Sequence, residues 1–329
     1  MNEAQISVPQ RSAELDALIR QATNYFENGK SASTRASYAS DQRAWENFLV
    51  RHSLPAALPT TFDVVSLYVA HCAAQAQNSI STIKRRVASL CYLHRQAGYE
   101  DWPAALRRSH LFREVLAGIM RVHGAAQVGA KPLSTDEIKK IVAACPRNLL
   151  GLRDRSLCLL GFSLGSRRSE LSSVIEIADL SFTAEGVTVR LSRGKTDPFG
   201  IEGRVVAIPF SEYVETCPVQ ALRGWLSAAQ LTSGPLYRAV DRWDHVSPTA
   251  LNPRSVGKIL SGALKRAGFN QAKTSPHSLR VGFCSTAASH GHCTEREIAK
   301  VTGHRSNVLR RYIRDADLFR DGASGRLGL

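Results

Sequence analysis

Thr274-Ser-Pro-His-Ser-Leu-Arg280, followed by Thr302-Gly-His304 and Arg310-Arg-Tyr312-Ile-Arg314, is the stretch from which the rest of the chain is read. Pro276 is suited to opening a helix, and a spacing of three then sets His277 and Arg280 on one helical face. A forked guanidinium beside an imidazole suits an anionic, tetrahedral target. Arginine can donate two parallel hydrogen bonds to a phosphate while histidine gives or takes a proton nearby. Tyr312 adds a hydroxyl. His-x-x-Arg by itself is most often only a solvated helical face, so its companions decide.

Two companions lie upstream: Leu164-Gly-Ser-Arg167-Arg-Ser-Glu170-Leu171, and Arg193-Gly-Lys195-Thr between two strand-like runs. Taken in order with His277-Ser-Leu-Arg280, Gly303-His304 and Tyr312, they resemble the tyrosine recombinase, or phage integrase, family in its Cre/Xer-like form. That family's set runs Arg, Lys, His-x-x-Arg, His/Trp, Tyr. By motif the resemblance spans residues 133 to 320, and the helical character of the preceding region extends it over most of the chain. It implies a site-specific recombinase in which Tyr312 attacks a DNA phosphodiester, leaving a 3′-phosphotyrosyl ester and a free 5′-hydroxyl. Arg167 and Arg280 would bind the non-bridging oxygens, Lys195 would protonate the leaving oxygen, His277 would assist proton transfer and His304 would hydrogen-bond the phosphate. Glu170 would orient a group of the site. No metal, ATP or other cofactor is implied, because the bond energy is kept in the tyrosyl ester. The expected partner is a double-stranded DNA target. Two duplexes with four strands to cut imply a homo-tetramer on DNA from a protein that is monomeric when free. Residues from about Ala316 onward would pack on a neighbouring protomer. In two places the chain departs from the family pattern. Tyr312 follows His304 by eight residues, one fewer than usual, and Ser166 stands where a larger apolar residue is common. A topoisomerase-like nicking and rejoining enzyme, or a silent DNA-binding protein on the same fold, are the competing readings.

Charge points the same way. The 329 residues carry 43 Lys+Arg against 28 Asp+Glu, a net charge of +15, which suits a polyanion. Residues 1–130 hold 14 Lys+Arg against 10 Asp+Glu and the remainder 29 against 18, so both parts are basic. This fits two domains that close around a duplex, with salt-dependent binding. No apolar run approaches the length of a membrane span and no signal-peptide core opens the chain, so a cytoplasmic, DNA-associated protein is expected. The seven cysteines contain no Cys-x-x-Cys pair and read as reduced, inert thiols.

The expected fold is mainly α. An all-helical N-terminal core-binding domain over residues 1–123 precedes a linker at 124–132 and an α+β catalytic domain over 133–329 with a small antiparallel sheet. Helical spacing appears over 13–26, 34–51, 62–75, 79–97 and 110–122. In the fourth of these helices Lys84, Arg85 and Arg86 alternate with apolar positions and become candidate phosphate contacts, with Arg107 a further one. Gly124-Ala-Ala-Gln-Val-Gly-Ala-Lys-Pro132 has linker composition. Ser134 and Glu137 form a capping-box pattern, and an apolar helix follows over 148–162. Residues 187–191 and 205–208 alternate as strands around the segment carrying Lys195. Helices return over 218–230, 252–267, 277–290 and 294–301, with a short one near 308–314.

Overall fold

A computed structural model of the chain describes residues 13–75, 77–124, 129–191, 203–289, 293–304 and Leu309. The chain separates into two compact units, Met1–Gln127 and Val128–Leu329.

In the first unit, serines stop the chain from fraying at three helix starts. Ser31, Ser79 and Ser109 each accept from a backbone N–H of the first turn, satisfying donors that have no intrahelical partner. The helices are α1 (Ala13–Asn28), α2 (Ala32–Arg51), α3 (Phe62–Ala74), α4 (Ile80–Gln96), α5 (Trp102–Arg108) and α6 (His110–His123). Their core is aromatic at its centre: the rings of Trp45 and Phe48 from α2 lie 4.9 and 5.1 Å from that of Tyr68 on α3. Val65, Ile83, Leu106 and Phe112 close around them. The spacing of Leu15, Leu18, Ile19 and Phe26 does make a helix, yet α1 buries none of its residues.

The second unit opens with the capping box of Ser134 and Glu137 on α7 (Thr135–Ala143). The long apolar α8 (Leu149–Ser163) follows, capped by Asn148 and buried along most of its length. A π-helical turn spans Glu170–Val174. Three antiparallel strands come next: β1 (Leu180–Phe182), β2 (Gly186–Leu191) and β3 (Arg204–Pro209), in that order across the sheet. Val189 pairs with Val206 and Leu191 with Arg204. Val187, Val189, Leu191, Val206 and Ile208 form a buried face against α8 and α9 (Pro218–Ala228). A two-stranded ribbon, β4 (Arg238–Val240) with β5 (Val246–Ala250), leads to α10 (Pro253–Arg266), α11 (His277–Ser289) and α12 (Glu295–Thr302). The mainly helical expectation with a small antiparallel sheet holds. Placement of the site follows from three packings: α11 lies on α8 and α12, α12 touches β3, and α10 packs against the π-helical turn.

Candidate active site

Pro276 precedes α11 directly, so His277 is its first residue and Arg280 lies one turn on, facing the interior. Arg280 is 1 % exposed. Such burial of a cation is tolerable only if its N–H groups are matched. Nη1 donates to Gly165 O at 2.7 Å and Nη2 to His304 Nε2 at 3.1 Å. Desolvation, with repulsion from Arg167 next, brings its pKa down to about 10; it remains a cation at neutral pH.

Gly165 presents its carbonyl because α8 ends at Leu164 and the next residue turns left-handed, at φ 51°. An added Cβ there would meet Thr302 Cγ2 at 2.8 Å and Phe283 Cδ1 at 2.9 Å, so both conformation and space call for glycine. Arg167 follows, with its backbone N–H donating to Glu170 Oε2 at 2.8 Å and its Nη1 to Oε1 at 2.9 Å. Arg168 is exposed, as adjacent positions diverge. Glu170 is itself 1 % exposed. It also accepts from Arg204 Nη2 at 3.1 Å.

The second imidazole is that of His304, just past α12. Gly303 ends that helix in the left-handed region at φ 67°, and an added Cβ would collide with the Arg204 guanidinium. Burial first, then the Arg280 and Arg167 charges, depress the His304 pKa to about 3. His277 is open to solvent at the helix end, yet partial desolvation and the same two arginines lower its pKa as well. Both rings are therefore neutral at pH 7. Three guanidiniums around one carboxylate leave an excess of two positive charges, a setting for an oxyanion.

The structure thus brings Arg167, Glu170, His277, Arg280 and His304 together. Lys195 and Tyr312 lie outside the described residues, as does the tail from Ala316. In one respect the geometry differs from the expected role: His304 Nε2 faces an arginine N–H in the free protein. Two participants went unread in the sequence, Arg204 and Thr302. Arg204 shares its strand face with Val206 and Ile208, which are buried. A charged residue in register with a strand's buried face was the available signal.

In the first unit the four basic candidates separate. Lys84 and Arg107 are exposed. Arg85 forms an ion pair with the buried Asp41. Arg86 reaches the same carboxylate at 3.9 Å and points Nη1 at Cys72 Sγ, 3.1 Å away.

Comparison with known proteins bears on the fold and the family. The chain is 31 % identical over 316 residues to an integrase/recombinase XerD homolog of Selenomonas ruminantium, covering 95 % of this chain and 90 % of the relative. Its fold is shared with XerH site-specific recombinase bound to a palindromic difH substrate, at a TM-score of 0.60 and 17 % identity over 88 % of this chain and 78 % of that one. A Tn1549 transposon integrase in complex with circular intermediate DNA gives a TM-score of 0.59 at 15 % identity, covering 91 % of this chain and 96 % of that one. Residues 131–318 match the family described as the phage integrase family, and with these likenesses the chain belongs to it.

Proposed function

We propose that this protein is a site-specific DNA recombinase of the tyrosine type, cleaving and rejoining DNA through a 3′-phosphotyrosyl intermediate. The observation that carries the reading is a site in which Arg280 and Glu170 are both buried, Arg280 held by Gly165 O and His304 and Glu170 by Arg167 and Arg204, in a chain of the phage integrase family. Arg167 and Arg280 supply N–H donors to the non-bridging oxygens as charge builds on the pentavalent phosphorus. Glu170 keeps Arg167 aimed and offsets the repulsion among Arg167, Arg204 and Arg280. The Tyr312 oxygen forms a bond to phosphorus while the bond to the 5′-oxygen breaks. His277, neutral at pH 7, is able to take the phenolic proton, and Lys195 delivers a proton to the departing oxygen. Religation is the reverse, with a 5′-hydroxyl attacking the tyrosyl ester. No cofactor enters this balance.

In this reading residues 1–123 are the core-binding domain, 124–132 the linker and 133–329 the catalytic domain. Lys84 and Arg107, the exposed pair of the four basic candidates, contact DNA phosphates, while Arg85 and Arg86 are engaged with Asp41. The protein acts inside the cell, in the cytoplasm, on double-stranded DNA, as a monomer that assembles to a homo-tetramer on two duplexes. No helix among the described residues is long and apolar enough to cross a membrane.

The test is a covalent adduct on DNA recovered from cells by crosslinking to this protein. Wild type should form a protease-sensitive protein–DNA adduct and exchange strands between two duplexes. Tyr312→Phe should bind within a few-fold of wild type and form no adduct. An adduct surviving in that variant moves the nucleophile elsewhere, although not to Tyr237, which is sealed in the core with its hydroxyl on Ser156 at 2.8 Å. Binding without any adduct from wild type would overturn the recombinase reading in favour of a silent DNA-binding protein.

A further inference from the structure

The hydroxyl of Thr302, a fully buried residue, has a single proton whose destination can be deduced. Thr302 Oγ1 lies 2.7 Å from Ile298 O, one helical turn back, and 2.7 Å from His304 Nδ1. A carbonyl oxygen only accepts, so the Thr302 proton goes to Ile298. The second contact then needs a proton from the ring: His304 Nδ1–H donates to Thr302 Oγ1. In a neutral imidazole this leaves the lone pair on Nε2, the atom that faces Arg280 Nη2 at 3.1 Å. Guanidinium nitrogens only donate, so this contact agrees with a lone pair on Nε2. The neutral ring is favoured, since burial and the nearby arginines hold the His304 pKa far below its ordinary value.

The other half of the Arg280 guanidinium rests on Gly165 O at 2.7 Å. Gly165 in turn lies against the Thr302 side chain, because a Cβ there would come within 2.8 Å of Thr302 Cγ2. Both acceptors that aim Arg280 therefore rest on one residue. The Thr302 hydroxyl sets the His304 tautomer and its methyl lies under Gly165.

We infer that Thr302 is a positioning residue for strand cleavage: it holds His304 as the Nδ1–H tautomer, so that His304 acts as an acceptor that orients Arg280 toward the scissile phosphate. The inference rests on the recombinase reading above. It adds that, before DNA arrives, His304 works on the guanidinium and not as a donor to phosphate. Without the hydroxyl the ring loses its Nδ1–H partner. The Nε2–H tautomer then sets donor against donor at Arg280, and the guanidinium loses one of its two anchors. A threonine that merely satisfied the Ile298 carbonyl would have none of these effects on the ring.

The experiment uses full-length protein labelled with 15N-histidine, as wild type, Thr302→Val and Thr302→Ser. The His304 ring signals are identified by their loss in His304→Gln. Wild type and the serine variant should show the Nδ1–H pattern, and the valine variant should move toward Nε2–H. Cleavage at saturating DNA should fall about tenfold or more in the valine variant, by analogy with the about 10–100-fold losses when a partner that orients a metal-ligating histidine is removed. DNA affinity should stay within a few-fold, and serine should restore the rate. A valine variant that keeps the Nδ1–H pattern, or that cleaves at the wild-type rate, overturns the assignment of Thr302. So does a serine variant that is folded but shows the valine behaviour. If wild type shows the Nδ1–H pattern yet forms no adduct on any DNA, the hydrogen-bond assignment is supported and the recombinase reading alone fails.

Discussion

Glu170 sets the charge balance of the site at the scale of single residues. Its carboxylate is 1 % exposed and accepts from the Arg167 backbone, the Arg167 side chain and Arg204. Glu170→Gln keeps the shape but removes the charge, and an amide N–H must then face one of the two guanidiniums. Losing one partner of a buried pair costs about 3–5 kcal/mol. Here Arg167 and Arg204 keep 18 % and 16 % of their side-chain surface open to water, so a loss of about 2–3 kcal/mol is expected, read as a lower midpoint in urea. Adduct formation should fall with it, because Arg167 loses the group that aims it. Unchanged stability would mean that the carboxylate is already neutralised by something other than these two arginines. Glu170 was reachable from the sequence because it sits one turn after Arg167. Arg204 was not, because its partner lies 34 positions away and only the alternation of β3 marks it as inward-facing.

At the scale of elements, legibility followed length and caps. Helices that begin on Ser31, Ser79, Ser134 and Thr294 were visible because a side-chain oxygen followed by a periodic apolar run defines a start. The seven-residue α5, the three-residue β1 and the ribbon of β4 and β5 were not, because segments this short give no periodicity to read. In α1 the helical spacing is borne out, yet none of its residues is buried. In α4 the sequence could not divide a run of three basic residues, whereas packing does. Lys84 is exposed, while Arg86 is 18 % exposed, lies against the Tyr68 ring and approaches Asp41. Lys84→Ala should weaken DNA binding evenly across sequences and reduce the salt slope by about one unit, with stability unchanged. Arg86→Ala should instead lower the urea midpoint of the first unit, because a cation near a buried carboxylate and the contacts on Tyr68 and Cys72 go together. Equal effects of the two substitutions on stability would refute this division of the helix.

Across the whole molecule, histidines held neutral in both units couple the fold to pH. His94 is completely buried in the first unit and stacks on Trp102 with ring centroids 3.4 Å apart. Its Nδ1–H donates to Leu90 O at 2.8 Å, and Nε2 accepts from the Thr60 N–H at 3.1 Å. A second ring proton would face that N–H, and burial lowers the His94 pKa accordingly. His277 and His304 in the second unit are lowered too, by burial and by Arg280 and Arg167. Unfolded histidines titrate near 6.5. Between that value and the lower folded values, reaching about 3 for His304, the unfolded chain binds protons that the folded chain refuses. Stability is therefore complete above pH 6.5 and declines as pH falls through this window. For His304 the limit is about 2 kcal/mol at pH 5, which solvent screening reduces to about 1 kcal/mol because the residue is half-buried. The growing positive charge on a chain already at +15 acts in the same direction. Urea unfolding at pH 7.5, 6.5, 5.5 and 5.0 should show this monotonic loss. Trp102 offers a local check, since an imidazolium stacked on an indole quenches its fluorescence. If the His94 ring stays neutral until the first unit opens, Trp102 emission should change only together with the loss of helical circular dichroism. Quenching that precedes unfolding would place the His94 proton within the native state, and a stability that is flat or rises from pH 7.5 to 5.0 would remove the three histidines as the source of acid lability.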